Sequence, residues 1–322
     1  MASAPGGIIL LLLLGIKQAP AQNTNWANVT PTDNNSFRMS KIAEPACPKF
    51  TPPPTRQPPP SILFVVNFHY KIHATINAKH VILHQIMQHY YQTPFDVIFI
   101  SPGDDRPGFI GNGLPDNGFL SYHSLTVAHR RYPNYSGYML VNDDVILVQH
   151  HFFNIDWTLP LGFGGLDPAV CLVGGKHWPW ADEYCPRAIK AFRPTETTSR
   201  TIYRSQADIF YVPAPYLSTW ATWANAFVTN NVFLEIAVPT ILNAIARCHY
   251  ASTKVCTDWN YSTRPSLWQK FPLDNHCAAY HPIKVLSSPI IAATIAAKLK
   301  QLAHPYPRIH YSTADHILYT PR

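Results

Sequence analysis

A chain of 322 residues in which 47% are hydrophobic and 13% are charged can bury a sizeable core, and this composition excludes a largely disordered protein. The formal net charge is +7, but lysine and arginine are scattered and form no run of the kind that follows a nucleic-acid backbone. The composition therefore argues against a nucleic-acid partner and favours small anionic ligands.

The first sixty residues predict two segments that precede the folded domain. An apolar run at 8–16 is followed by the small-x-small sequence APA, which is typical of signal peptidase sites. A run of that length, at about 1.5 Å per residue, cannot cross a hydrocarbon core about 30 Å thick. A cleaved signal peptide over 1–21 is therefore favoured, with a short signal anchor as the alternative. Residues 22–60 are rich in Asn, Thr, Ser and Pro and predict an extended stem.

Two further features predict entry into the secretory pathway. Four N-glycosylation sequons occur, at Asn28, Asn34, Asn134 and Asn260. Six cysteines predict up to three disulfides, and buried free thiols are the alternative. The sequence leaves the pairing open, although proximity favours Cys248 with Cys256. We expect a protein of the secretory pathway, lumenal or secreted, with a membrane reached only through the N-terminal segment.

From Ser61 onward, the pattern is that of one α/β domain over 61–322. Strands are predicted at SILFVV, FDVIFIS and GYMLV, and helices between them at AKHVILHQIMQHYY and YHSLTVAHRR. Strands and helices that alternate in this way form right-handed crossovers and a mostly parallel sheet. The predicted fold class is therefore α/β and Rossmann-like, with a mostly parallel central sheet flanked by helices.

The second half of the domain predicts one more strand and three helices. The strand is ADIFYVPA, and the first helix is TWATWANAFV. The second helix, FLEIAVPTILNAIARC, is expected to kink or break at Pro239. The third, SSPIIAATIAAKLKQL, begins with a Ser N-cap and Pro289 in its first turn, and it is too short and too basic to span a membrane.

The stretch YMLVNDDVILV places Asp143 and Asp144 inside an apolar run. A carboxylate in an apolar interior costs several kcal/mol unless it is paired or binds a metal, so the strand is expected to end at this acid pair. The carboxyl ends of strands are where open α/β sheets bind ligands. Two carboxylates there suit Mg²⁺ or Mn²⁺, which bridge pyrophosphate oxygens. The alternative is that one Asp caps a turn and the other is solvated.

This acidic segment resembles the metal-binding motif of GT-A-type glycosyltransferases, and the element order is similar over roughly 61–288. The resemblance implies a GT-A-like catalytic domain that uses a nucleotide sugar as donor and a glycan, glycoprotein or glycolipid as acceptor. The same resemblance implies that this domain lies on its Pro-rich stem in the lumen of the Golgi or endoplasmic reticulum. It also implies a metal ion held by Asp143 and Asp144 against the donor diphosphate. The usual Asp-x-Asp reads Asn142-Asp143-Asp144 here, so the first carboxylate is missing and Asp144 becomes the leading ligand.

Four residues of the second half receive roles from this resemblance. In YHPIK, His281 is expected to be a third metal ligand and Lys284 a contact to the diphosphate, with a structural His as the alternative. Glu235 interrupts an apolar stretch that would raise its pKa, so it is the leading base toward the acceptor hydroxyl if the reaction inverts configuration. A Glu bonded to backbone or to an Arg is the alternative there. Asp208 in QADIFYV is the second candidate base, or it positions the acceptor.

Three weaker predictions complete the site. Asn67, at the end of the first strand, is expected to contact the nucleotide, and His69 is less favoured for that contact. Asp104 and Asp105 lie in the loop after the second strand, where Asp105 is a candidate donor contact and a solvated turn is the alternative. Trp180 offers a flat face for a sugar ring, although packing in the core is the commoner use of Trp.

Three functions follow from these predictions. The first is a metal-dependent glycosyltransferase of the secretory pathway. The second is a secreted metal-dependent phosphoesterase, but such sites gather several His and Asp ligands in short motifs, and the sequence contains no dense motif of that kind. The third is a non-catalytic GT-A-like protein that binds carbohydrate or acts as a scaffold, which the missing carboxylate keeps open.

Overall fold

The computed structural model describes residues 61–69, 95–105, 109–114, 118–147, 156–163, 181–192, 202–246, 251–253, 255–257 and 279–281. The predicted signal peptide, the stem and the helices predicted at 78–91 and 287–302 lie outside these residues. Within the described ranges, no helix has the length and apolar character needed to cross a membrane.

The described residues form ten strands in two sheets. The strands are β1 (Ile62–Asn67), β2 (Asp96–Ser101), β3 (Ile110–Gly111), β4 (Gly137–Asn142), β5 (Ile146–Leu147), β6 (Leu161–Phe163), β7 (Ile209–Pro213), β8 (Ala251–Thr253), β9 (Val255–Thr257) and β10 (Ala279–His281). The central sheet has the order β3-β2-β1-β4-β7-β6-β8, and a smaller sheet has the order β5-β10-β9. The prediction of a mostly parallel central sheet is confirmed.

The central sheet is parallel from β3 to β4 and changes direction at β7. Strand β1 pairs in parallel with β2 and β4, whereas β7 is antiparallel to both β4 and β6. All six residues of β1 and all six of β4 are buried. Strands covered on both faces require the continuous apolar runs from which they were predicted. The small sheet was not predicted.

The described residues also form four α-helices: α1 (His123–Arg131), α2 (Ala181–Phe192), α3 (Leu217–Thr229) and α4 (Leu234–Ala246). Helix α4 continues through Pro239. Because proline has no N–H, it cannot bond the carbonyl four residues earlier, which belongs to Glu235. The backbone N–H of Ser205 donates to that carbonyl instead, at 3.1 Å. The proline thus lets the segment before β7 attach to the first turn of α4.

The two faces of the central sheet bury separate cores, because alternate residues of a strand point to opposite faces. Side chains from all four helices pack on one face, where Phe210 of β7 stacks on Trp220 of α3 with ring centroids 5.0 Å apart. The other face packs against Trp157 and against residues of β5 and β10. We call the first face the helix face. The candidate functional residues described below lie on this face, directly after the last apolar residues of its strands.

Cys185 of α2 is buried and disulfide-bonded. The predicted pairing of Cys248 with Cys256 stays a prediction, because Cys248 lies outside the described residues.

Candidate functional site

Three neighbouring strands carry a polar residue at the same edge of the helix face. Asn67 ends β1 and pairs in register with Asn142, which ends β4. Asp208 precedes β7, and the N–H of Asn142 donates to its carbonyl at 2.9 Å, which extends the antiparallel ladder by one pair. Paired residues project from the same face of a sheet. The three side chains are therefore adjacent, and each is buried.

The acid pair lies in the turn that follows β4. The N–H of Asp143 donates to the carbonyl of Asn67 at 2.9 Å, and the N–H of Val145 donates to the carbonyl of Asn142 at 3.1 Å. The strand ends at the carboxylates, as predicted. Neither carboxylate is solvated, since Asp143 is 8% exposed and Asp144 is 5% exposed. Two carboxylates at this depth require cationic partners.

His281 is brought to the acid pair by the small sheet. In the antiparallel pair of β5 and β10, Ile146 faces Tyr280, so the next pair places His281 opposite Val145, beside Asp144. The Nε2 atom of His281 lies 3.6 Å from Oδ2 of Asp144 and 3.4 Å from Oδ2 of Asp208. Both distances exceed the roughly 2.9 Å of a normal N–H···O bond, so the imidazole lies beside both carboxylates at more than hydrogen-bonding distance.

His69 approaches the same group from the end of β1. Its Nδ1 atom contacts Oδ1 of Asp143, and its backbone N–H lies 3.4 Å from the same oxygen. A Cβ atom on Gly118 would lie 2.1 Å from Cδ2 of the imidazole. Only glycine therefore leaves room for the ring in this position. Burial alone would lower the pKa of His69, but Asp143, helped by Asp144 and Asp208, raises it to about 9.

The donor atoms fit a divalent cation. Ligand atoms of His69, Asp144 and Asp208 all lie within 4.8 Å of one another. Ligands of one such ion, each at about 2.1 Å from it, lie about 3 to 4 Å from one another, so the observed spacing is of the order that one ion requires. Carboxylate oxygens with imidazole suit Mn²⁺. Because metals bind neutral imidazole, a cation would have to displace the proton of His69.

Glu235 lies beside this group in the first turn of α4 and is partly buried. Burial and the charge of Asp208 raise its pKa to about 7, although His281 and Arg204 act in the opposite direction. The positive end of the helix would favour the charged carboxylate, so burial and Asp208 outweigh that effect. A carboxyl with this pKa is about half ionised at neutral pH and can exchange a proton with a hydroxyl.

Among the predicted site residues, the structure brings Asp144, Asp208 and His281 together. Asp143, the other predicted aspartate ligand, contacts His69. Asn67, predicted to contact the nucleotide, is 1% exposed and bonds to the side chains of Asn142 and Ser124. The roles themselves stay predictions.

Asp105 is the remaining predicted residue that the described part of the chain covers. Asp105 is exposed, accepts from the N–H of Gly111 at 2.8 Å and pairs with Arg131 at 2.7 Å, which is the solvated turn named as its alternative. Lys284 and Trp180 lie outside the described residues.

Sequence reasoning missed three contributors. His69 was ranked below Asn67, although it too follows the buried first strand, at the edge where open α/β sheets bind ligands. No local sequence pattern indicates that position 118 must be glycine, because the need for glycine comes from its contact with the His69 ring, 49 positions away. Asn142 was read only as a missing carboxylate. The pattern VVN in β1 and LVN in β4 could have revealed two asparagines in register.

No protein-family model matches the sequence, and no curated protein matches it. Among solved structures, the chain is similar to one described as "Crystal structure of a glycosyltransferase involved in the glycosylation of the major capsid of PBCV-1". The TM-score is 0.38 with 8% sequence identity, over 75% of this chain and 100% of that chain. A similarity of this size carries no functional inference, and we base the proposed function on the residues of the site.

Proposed function

We propose that this protein is a metal-dependent glycosyltransferase that moves a sugar from a nucleotide-diphosphate donor to an acceptor hydroxyl. The observation that carries the proposal is a group of two buried carboxylates and a partly buried imidazole with metal-ligand spacing, next to a separate carboxyl whose pKa is about 7. The group lies where β1 and β4 end, the edge at which open α/β sheets bind ligands. The pattern that resembles the GT-A acidic motif falls at this edge.

His69, Asp144 and Asp208 would hold the cation, and His281 would be a further ligand beside the two carboxylates. When bound, a divalent cation offsets the negative charge that develops on the departing diphosphate. Asp143 fixes the orientation of the His69 ring through Nδ1, and Gly118 gives the ring its space. The buried surroundings exclude water from the carboxylates, which strengthens their interaction with a cation.

Glu235 acts on the acceptor in this proposal. The bond from the anomeric carbon to the diphosphate oxygen breaks, the acceptor oxygen bonds to that carbon, and the acceptor proton passes to the Glu235 carboxylate. A base outside the metal group favours transfer to an alcohol, because a metal-dependent hydrolase can generate its nucleophile from metal-bound water. This separation of base and ligands is the reason for preferring a transferase.

The experiment that tests this function is a panel of nucleotide sugars and acceptors, assayed with and without Mn²⁺. We expect nucleoside diphosphate release that depends on an acceptor, is abolished by a chelator and is restored by Mn²⁺. Asp144→Ala should lose this activity, and Glu235→Gln should lower it by roughly 100-fold while still binding Mn²⁺. Transfer at the wild-type rate by Asp144→Ala would remove the proposed role of the metal group.

A second candidate function, metal-dependent hydrolysis of phosphate esters, is favoured by one observation. The sequence contains no dense motif of ligands, but the fold gathers two histidines and three aspartates in one place: His69, His281, Asp143, Asp144 and Asp208. Metal-dependent hydrolases use groups of this composition. Release of phosphate from a generic ester with Mn²⁺, without any acceptor and without nucleotide-sugar turnover, would replace the first proposal with this one.

We also propose that the protein acts in the lumen of the secretory pathway. The sequon residue Asn134 is exposed in the turn between α1 and β4, where an oligosaccharide can be added without disturbing the core. Expression in a eukaryotic cell, followed by glycosidase treatment, should shift the mass of the wild type more than that of Asn134→Gln. Equal shifts would show that this sequon is not used.

A further inference from the structure

Asn142 occupies the position at which the resembling motif carries its first carboxylate. Its side chain is fully buried and is bonded at both ends. Its Nδ2 donates to Oδ1 of Asp208 at 3.0 Å, and its Oδ1 accepts from Nδ2 of Asn67 at 3.2 Å. An amide can do both because it contains a donor and an acceptor, whereas a carboxylate can only accept.

The hydrogen bonds continue beyond Asn67 in one direction. Oδ1 of Asn67 accepts from the hydroxyl of Ser124 at 2.6 Å. The hydroxyl oxygen of Ser124 accepts in turn from Nδ2 of Asn112 at 3.3 Å. Oδ1 of Asn112 in turn accepts from the backbone N–H of Leu114 at 2.9 Å. Each link donates toward Asp208, and the four side chains from Asn112 to Asn142 are buried. We call this series the donor relay.

The direction of the donor relay is set by its last member. A carboxylate at Asp208 must face a donor, so the amide nitrogen of Asn142 faces Asp208 and its oxygen faces Asn67. This arrangement holds Oδ1 of Asp208. Its other oxygen, Oδ2, lies 3.4 Å from Nε2 of His281 on the side of the metal group. The relay thereby fixes which oxygen of Asp208 is directed at the metal group.

An aspartate at position 142 would reverse this effect. Two carboxylates would face each other across about the present 3.0 Å in a fully buried place, with no donor between them. The loss of the first motif carboxylate is therefore matched by the gain of a carboxylate from the neighbouring strand.

We propose that Asn142 is a positioning residue that, as the last donor of the relay, orients Asp208 so that this carboxylate replaces the one missing from the acidic motif. The inference rests on the proposed function only in requiring that the group binds a divalent cation. It predicts that restoring the usual motif with Asn142→Asp weakens metal binding. If Asn142 had no orienting role and were simply a lost ligand, the same substitution would return a carboxylate to the metal and strengthen metal binding.

The test compares wild type, Asn142→Asp and the exchange variant Asn142→Asp with Asp208→Asn. Asn230→Asp serves as the control, because its amide donates to a helix carbonyl at 2.8 Å and has no aspartate partner among its described hydrogen bonds. Mn²⁺ affinity is measured by the electron paramagnetic resonance signal of the free ion, and the Tm is measured in chelator. Neither readout depends on transfer activity.

We expect Asn142→Asp to weaken Mn²⁺ binding by roughly 10- to 100-fold, as is typical when a group that orients a ligand is lost. Its Tm in chelator should fall by about 5 °C or more. The exchange variant should recover part of the Tm, because an amide again faces a carboxylate, but not the Mn²⁺ affinity. Asn230→Asp should lose stability and keep its Mn²⁺ affinity.

Unchanged or tighter Mn²⁺ binding by Asn142→Asp would overturn the inference, as would full recovery of affinity in the exchange variant. Wild-type protein that binds no Mn²⁺ would overturn both the metal group and the inference. Wild-type protein that binds Mn²⁺ but transfers no sugar would defeat the proposed transferase alone and leave the relay to be decided by the variants.

Discussion

The chain contains two pairs of adjacent aspartates, and each pair follows a strand of the parallel part of the sheet. Asp104 and Asp105 follow β2, and both are exposed. Asp143 and Asp144 follow β4, and both are buried. The same dipeptide at the same kind of position therefore has two outcomes.

The neighbours of the two strands explain the difference. Strand β2 lies next to the edge strand β3, and Asp105 finds its partners on β3 and on α1, at Gly111 and Arg131. Strand β4 lies between β1 and β7, and its turn continues into β5, which pairs with β10. These contacts surround the second pair with two histidines and a third aspartate. An acid pair becomes a candidate site when central strands bury it and distant segments supply its partners.

The largest effect expected from this comparison is on metal binding. Asp144→Asn removes a buried ligand charge and should weaken Mn²⁺ binding by at least about 100-fold. Asp104→Asn makes the same change in the exposed pair and should leave the affinity within about twofold. Titration of both variants with Mn²⁺ measures the difference. Equal losses would mean that the metal responds to the overall charge of the protein rather than to the buried group.

The next largest effect is expected on the activity that depends on Glu235, whose pKa is raised in part by Asp208 of the buried group. Glu235→Gln should lower kcat/KM by roughly 100-fold, because a general base typically contributes about that much. In the wild type, kcat/KM should rise as the pH increases through about 7, since Glu235 accepts a proton only when ionised. A cation bound at Asp208 offsets the charge that raises this pKa, so the rise with metal present should lie at or below pH 7.

Pre-steady-state or steady-state rates across pH 5–9 check this dependence, provided that they are measured at a saturating metal concentration. The rise should be absent in Glu235→Gln. A wild-type rate that instead falls over this range would assign Glu235 to proton donation and not to acceptor activation.

The contrast between the two acid pairs also shows what the sequence can predict. Strands β1, β2, β4 and β7 were predicted because each is a continuous apolar run, and the end of β4 at its carboxylates was predicted because buried charge is costly. The exposed turn at Asp105 was an explicit alternative. Local composition therefore decides the central strands and the places where they end.

The partners of the buried pair could not be obtained from local patterns. Strands β5 and β10 have two and three residues, too few for a period to be recognised. The neighbouring positions of Asn142 and Asp208 depend on a register between segments 66 residues apart. His281 was proposed from the resemblance to a family, and Asp208 was proposed as a base. Long-range register, and not the acidic motif, assembles the group.

A smaller effect is expected from the glycine that seats His69. Gly118→Ala would place a methyl group against the imidazole and should weaken Mn²⁺ binding by about tenfold, because the displaced ring is one ligand among several. Asn230→Asp is again the control, because its amide donates to a helix carbonyl at 2.8 Å and takes no part in the donor relay. It should cost stability and leave metal binding unchanged.

Both variants are compared by Mn²⁺ titration and by thermal unfolding. A loss of affinity in Asn230→Asp as large as that in Gly118→Ala would attribute both losses to general destabilisation and would leave His69 without a demonstrated role.

The smallest effect is expected in the exposed pair itself. The N–H of Gly111 and the guanidinium of Arg131 lower the pKa of Asp105. The ionised Asp105 therefore stabilises the folded state at neutral pH, and this stabilisation is lost as the pH falls through the pKa that Asp105 has in the folded state. The Asp105 side chain is 55% exposed, and solvent screens its pair with Arg131. We expect a coupling energy of about 0.5 kcal/mol or less.

A double-mutant cycle with Asp105→Ala and Arg131→Ala, followed by urea unfolding at pH 7, measures this coupling. Raising the salt concentration to about 1 M shortens the screening length to about 3 Å and should reduce the coupling further. A salt-insensitive coupling above about 2 kcal/mol would be the magnitude expected of a buried pair. The loop after β2 would then resemble the turn after β4 in its energetics, and burial would no longer be what separates the two acid pairs.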